Sequence, residues 1–481
     1  MQPYQVLILI AAYFAVLILI SYFTGRGGSN AEFFKANKQA PWYLVAFGMI
    51  GASLSGITFI SIPGTVEADS FSYFQVVLGY TVGYAVIGQV LLPLYYKMNL
   101  TSIYTYLETR FGNASYKTGA SFFLLSRVVG ASFRLFLVAN VLQLIVFDSL
   151  GVPYYVTVSI TILLIWLYTF RSGIKTIVWT DTLQTFFMLL ALGITIYFIS
   201  EDLGLSLNNL MGYLAESDHS KIFFFEDWKS KDHFVKQFLS GAFIAIVMTG
   251  LDQDMMQKNL TCRSLKDAQK NVFWFTIVLV FVNFLFLTLG VLLTDYADIN
   301  GIAESKDDLF PAIATSGNLG IGVAIFFILG LIAAAYSSAD SALTALTTSF
   351  SIDILGIEKK YDEKKQVRIR KQIHIAISIL LIVVMLIFKY AIADKSVINK
   401  LFQFAGYTYG PLLGLYAFGL FTKWKVKDKL VPIVAIAAPV LSYIISINSL
   451  VWFGFEFGFF ILILNGFLTF TGLILLRRKH N

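Results

Sequence analysis

Apolar runs of about 20 residues recur from one end of this 481-residue chain to the other. Each is long enough to cross about 30 Å of hydrocarbon as a helix. A chain in that medium must satisfy its own N–H and C=O groups, so an all-α integral membrane fold is expected. Thirteen candidate spans follow: 3–23, 42–66, 71–97, 117–147, 152–170, 176–200, 236–257, 272–295, 319–355, 372–392, 399–421, 430–447 and 451–476. The chain is 57% hydrophobic and 14% charged, which excludes a water-soluble protein of this length. Residues 4–23 lack a basic leading region and a small-residue cleavage site, so they read as a span and not a signal peptide.

Charge distribution gives the expected orientation. With the N-terminus outside, 26 of the 36 Lys and Arg fall in inside loops and 8 in outside loops. That asymmetry follows the positive-inside rule and alternates correctly at every loop. A multi-pass protein of the cell (inner/cytoplasmic) membrane with a cytoplasmic C-terminus is the expectation. The net charge of +7 reflects these loops, so no nucleic-acid partner is expected. The stretches 201–235 and 296–318 read as acid-rich external loops, and 358–371 as a solvated basic loop. The single Cys262 excludes a disulfide framework, and His219, His233, His374 and His480 are not spaced as metal ligands. No His/carboxylate metal set, nucleophile elbow or phosphate loop is present, which argues against an enzyme.

Polar groups at membrane depth carry the functional signal. Asp181 stands in Ile177-Val178-Trp179-Thr180-Asp181-Thr182. A hydroxylic cluster stands in Ala333-Ala334-Ala335-Tyr336-Ser337-Ser338-Ala339-Asp340-Ser341. A carboxylate at the bilayer centre costs about 2.5–3.5 kcal/mol on insertion scales, so it faces a partner or a cavity. The second span holds Gly48, Gly51, Gly56, Pro63 and Gly64 with Ser53, Ser55 and Thr58. Such a segment either unwinds to free carbonyls for a cation or packs closely through small residues. The span 236–257 contains Gly241 and Gly250 and runs into Asp252-Gln253-Asp254-Met255-Met256-Gln257-Lys258, read as a polar end at the inner face. Interrupted spans in matching places of two halves point to a transporter.

At these stretches, together with Gly173-Ile174-Lys175-Thr176 and the run from Ser337-Ser338 to Asp353-Ile354, the chain resembles the sodium/solute symporter family. Within it, the bacterial sialic acid symporters are the nearest in pattern, over about residues 5–475. The resemblance implies a leucine-transporter-like core of two inverted five-helix repeats, 42–200 and 236–421. One helix at 3–23 precedes it and two within 430–476 follow, all in a single transmembrane domain over 1–481. It implies Na+-driven import of a small organic solute by alternating access, an anionic sugar acid such as sialic acid first. A monocarboxylate, an amino acid or a neutral sugar is the alternative cargo, and a transporter-like solute sensor a remote one. The sequence runs only through Arg477-Arg478-Lys479-His480-Asn481 after its last expected span, which weighs against a fused signalling domain. Solute, sodium and lipid are the expected partners, with no obligate protein partner.

The resemblance also implies ligands. One sodium would take the carbonyls of Gly51, Leu54 and Ala334 with the hydroxyls of Ser337 and Ser338, a neutral oxygen set suited to a cation that must leave again. A second sodium, as in some sialic acid symporters, would take Asp181, Ser337, Asp340 and Ser341. Asp340 departs from the Ser those symporters carry there, and a second carboxylate either binds the cation more strongly or carries a proton instead. Asp181 and Asp340 read equally as partners of buried donors such as Arg127, Lys175 or a Thr. Ser53, Ser55 and Thr58 would hold the solute, with Tyr73, Phe74 and Gln75 at the wall. Arg134 would meet a carboxylate, but Arg127 lies seven residues earlier on the same face, and either is a reader or a counter-ion.

Overall fold

The computed structural model describes residues 3–24, 29–170, 173–206, 208–391 and 397–478. Arg26, Arg171 and Lys479 of the expected basic loops lie outside the described residues. Every extended regular element among those described is a helix. Those that build the bundle and the site are, in chain order, α1 (Pro3–Thr24), α2 (Trp42–Ser53), α3 (Gly56–Asp69), α4 (Ser72–Val86), α5 (Asn113–Leu142), α6 (Tyr154–Thr169) and α7 (Ile174–Asp202). The second half holds α8 (Phe234–Ala245), α9 (Gln253–Asn259), α10 (Leu265–Asn300), α11 (Leu309–Thr315), α12 (Ile321–Ser349) and α13 (Glu363–Ala391). The last three are α14 (Val397–Phe421), α15 (Val431–Phe453) and α16 (Ile461–Leu475).

Nine helices among the described residues are long and apolar enough to cross a membrane, and eleven when each of two bent pairs forms one span. The pairs are α2 with α3, bent by 53°, and α8 with α9, bent by 70°. Both fall where glycines and hydroxyls interrupt the apolar pattern. The expected span at 152–170 appears as the 16-residue α6, and that at 399–421 lies within α14.

Packing places α12 at the centre: 78% of its apolar stretch is buried, against 22% for α15 at the periphery. Small residues allow the closest approaches. A Cβ on Gly79 of α4 would overlap the carbonyl of Phe238 on α8, and one on Gly241 would overlap the carbonyl of Val76. The two backbones therefore touch, as small-residue helix pairs do in membranes.

Candidate functional site

The site begins where α2 stops. Leu54 (φ −84°, ψ 69°) and Ser55 (φ −63°, ψ 174°) leave helical geometry, so the last carbonyls of α2 lose their intrahelical partners. The helix is held there by α7: the Gly51 amide donates to Thr185 Oγ1 at 3.0 Å. A Cβ at Gly51 would strike Thr185, and one at Gly48 would come within 2.9 Å of Asp181 Cβ. Unwinding and close packing, alternatives in the sequence, therefore occur together. Across the break lies α12, with Gly56 against Ala335. The Ser338 hydroxyl donates to the freed Ala52 carbonyl at 3.2 Å, beside Gly51. Ala334, Ser337 and Ser338 are all buried at this crossing.

Ser337 points to the neighbouring helix instead, donating to Asp181 Oδ1 at 2.6 Å. The other oxygen of Asp181 lies 2.7 Å from Lys258 Nζ. Of the counter-ions weighed from sequence, Lys175 pairs with Glu32 at 2.7 Å and Arg127 with Asp254, so neither serves Asp181. Asp340 accepts from Tyr168 at 2.8 Å and from Ser341 at 3.2 Å. Reasoning from sequence missed Lys258, because it stands in a basic stretch that reads as a loop. Only the fold reveals it: Asp252, Gln253, Asp254, Gln257, Lys258 and Asn259 are all buried. The polar run is thus packed within the protein rather than left as an exposed loop. It is α9, begun in mid-bundle by Asp252, whose Oδ1 accepts from the Asp254 and Met255 amides at 2.9 and 3.3 Å. An N-cap side chain supplies the acceptors that a helix start needs when water is absent.

Beyond the break, a cavity of about 80 Å³ opens between α2, α3, α4, α5 and α8. Ser53, Ser55, Thr58, Tyr73 and Arg134 line it, as does Arg127. Phe74 and Gln75 do not, which corrects their expected place: Phe74 packs on Phe284 at 5.7 Å, and Gln75 bonds the Asp232 carbonyl at 3.0 Å and the Phe224 amide at 3.2 Å. Neighbours in a helix point about 100° apart, so only one of three consecutive residues faces the chamber. The two arginines differ. Arg127 is neutralised by Asp254, with Asp252 at 3.9 Å and Tyr409 bonded to Asp252 in turn. Arg134 is buried and forms no ion pair among the described residues, and its Nε has no hydrogen-bond partner. Tyr73, bonded to Tyr80 at 2.9 Å, separates this chamber from a wider vestibule of about 280 Å³ lined by Thr65, Asp69, Ser72, Asp232 and Tyr407.

A broken helix against a serine-bearing central helix, with a polar chamber beside it, defines a multi-pass membrane transporter. Residues 33–427 match the profile of the Sodium:solute symporter family, and the chain belongs to that family. A sodium/sialic acid symporter of Aliivibrio fischeri is 25% identical over 95% of this chain and 91% of that protein. A sodium/glucose cotransporter of Vibrio parahaemolyticus is 23% identical over 89% of this chain and 82% of its own length. The solved substrate-bound, outward-open state of a Na+-coupled sialic acid symporter superimposes with a TM-score of 0.82, covering 99% of both chains at 19% identity. The nucleobase-cation-symport transporter Mhp1 shares the fold more distantly, at a TM-score of 0.56 and 15% identity over 92% of this chain and 93% of its own. The protein is a sodium-coupled secondary transporter, not an enzyme.

Proposed function

We propose that this transporter imports a small carboxylate-bearing solute together with sodium, sialic acid being the first candidate. The carrying observation is Arg134, a buried cation on a hydroxyl-lined chamber that forms no ion pair with a carboxylate among the described residues. A guanidinium so placed is matched by a solute carboxylate, bidentate in geometry and strengthened by the low dielectric. Ser53, Ser55 and Thr58 offer hydroxyls to the rest of the solute. The sialic acid symporters among its relatives support the cargo. A second reading, a smaller monocarboxylate, is favoured by the apolar part of the lining, which includes Ile244, Met248, Met255 and Leu279.

Sodium binds in this reading at the carbonyls of Gly51, Leu54 and Ala334 with the hydroxyls of Ser337 and Ser338. The Ser338 bond to the Ala52 carbonyl supports it, because it brings α12 hydroxyls to the open end of α2. The bound ion ties the two helices together and so orders Ser53 and Ser55 for solute. The work comes from the gradient: each positive charge entering gains about 2.3 kcal/mol per 100 mV. Thirteen spans in two inverted repeats, 42–200 and 236–421, with the N-terminus outside, complete the architecture. Both halves open on a bent helix pair, which supports the repeat. The vestibule then faces outward, and the chamber of about 80 Å³ widens by movement at Tyr73, since small-molecule sites generally span about 300–1,000 Å³.

Uptake of labelled sialate and of short monocarboxylates into proteoliposomes tests the reading. Uptake is expected with sodium inside-directed, absent with choline at the same pH, and lost in Ser338→Ala. Equal uptake in choline sinks the proposal.

A further inference from the structure

The family resemblance implies a second sodium site at the carboxylates Asp181 and Asp340 with Ser337 and Ser341. In the fold a side chain of the protein already stands there. Lys258 Nζ lies 2.7 Å from Asp181 Oδ2, and both side chains are about fully buried. The remaining oxygen of Asp181 accepts from Ser337 at 2.6 Å. Asp340, oriented by Tyr168 and Ser341, is within electrostatic reach of both Asp181 and Lys258. Lys258 is anchored. Its carbonyl accepts from the Thr261 hydroxyl at 2.6 Å, and the preceding Gln257 donates to the Phe34 carbonyl at 2.9 Å and to Thr348 Oγ1 at 3.1 Å. An ammonium has the same unit charge as sodium and takes the same oxygen partners, but it is covalently held and cannot be released on either side. A carboxylate buried this deeply needs a cation beside it to stay ionised, and the chain supplies one to Asp181.

We propose that the Lys258 ammonium is a tethered cation filling the second cation position between Asp181 and Asp340, so that this protein binds one sodium ion, at the Ser338 site. The proposal rests on the sodium-symporter reading above and deepens it by fixing the ion count. It also gives Asp340 a reason. A position that takes a permanent ammonium tolerates a second carboxylate where a weakly held, exchanging ion calls for a neutral hydroxyl.

Equilibrium binding of radioactive sodium to the purified full-length protein, without solute, tests it. One sodium per protein is expected for the wild type and for Lys258→Arg. Two are expected for Lys258→Gln, because the vacated position between the carboxylates then recruits an ion. Wild-type binding of two sodium ions overturns the proposal, as does a folded Lys258→Gln that still binds only one. If Lys258→Gln does not fold, the wild-type count decides alone, one supporting and two overturning. Wild-type binding of no sodium sinks the symporter reading itself, so the two failures are distinct.

Discussion

Arg134 is a buried guanidinium on the same helix as a second one, Arg127, and among the described residues only Arg127 forms ion pairs with carboxylates. Two buried positive charges on one wall are tolerated when one is paired within the protein and the other is met by what enters. Removing one member of a buried, hydrogen-bonded charge pair costs about 2–5 kcal/mol, roughly 30-fold or more in affinity. Arg134→Ala is therefore expected to raise KM for a carboxylate solute by at least that factor and to leave a neutral solute unaffected. Competition uptake with matched acid and amide solutes measures the difference. Lys in its place retains charge but loses the planar fork, and so restores affinity only in part.

Among the helices, α4 and α8 depend on backbone contact. A Cβ at Gly79, Gly83 or Gly241 would overlap main-chain oxygens, which cannot move aside as a side-chain tip does. Overpacking of this kind costs about 1–3 kcal/mol or more. Gly241→Leu is expected to separate α4 from α8 and to lose the monodisperse peak of the solubilised protein on size exclusion. Gly193→Ala on α7, with nothing within 4 Å of the added methyl, is the control and retains the peak. The same logic explains the start of the site: Gly48 and Gly51 let α2 lie on α7, so that Asp181 and Thr185 reach the broken end of the helix.

For the molecule as a whole, the acid-rich end bears a proton-sensitive contact. A Cβ at Gly64 would overlap the carbonyl of Lys306, so the short turn Lys306–Asp308 is seated on α3. Burial there pushes the Asp307 carboxyl up from its ordinary 3.8 to about 6. A raised carboxyl means that the seated state holds the proton more tightly than the unseated one. Its contribution is complete below pH 3.8 and is lost as pH rises through about 6. Amide exchange over this turn, corrected for intrinsic chemistry, is expected to be slower at pH 5 than at pH 7. Asp307→Asn removes the difference.

What composition and order determined was the class: an all-helical membrane protein whose second span is rich in glycines and hydroxyls, with Asp181 and the serines of α12 as its polar centre. Those properties are local. Hydropathy over a window and the glycines within it are read along the chain without knowing its neighbours. Pairing is different, because it depends on the rotation and depth at which one helix meets another. Ser337 faces Asp181 while the adjacent Ser338 faces Ala52, and Tyr73 reaches the chamber while Gln75 turns to Asp232. No spacing rule distinguishes such neighbours. Lys258 looked like one more loop cation until α9 was carried into the bundle and its ammonium met Asp181. Which charge answers which was decided by tertiary structure alone, since a buried ion finds its partner across the protein interior and not along the sequence.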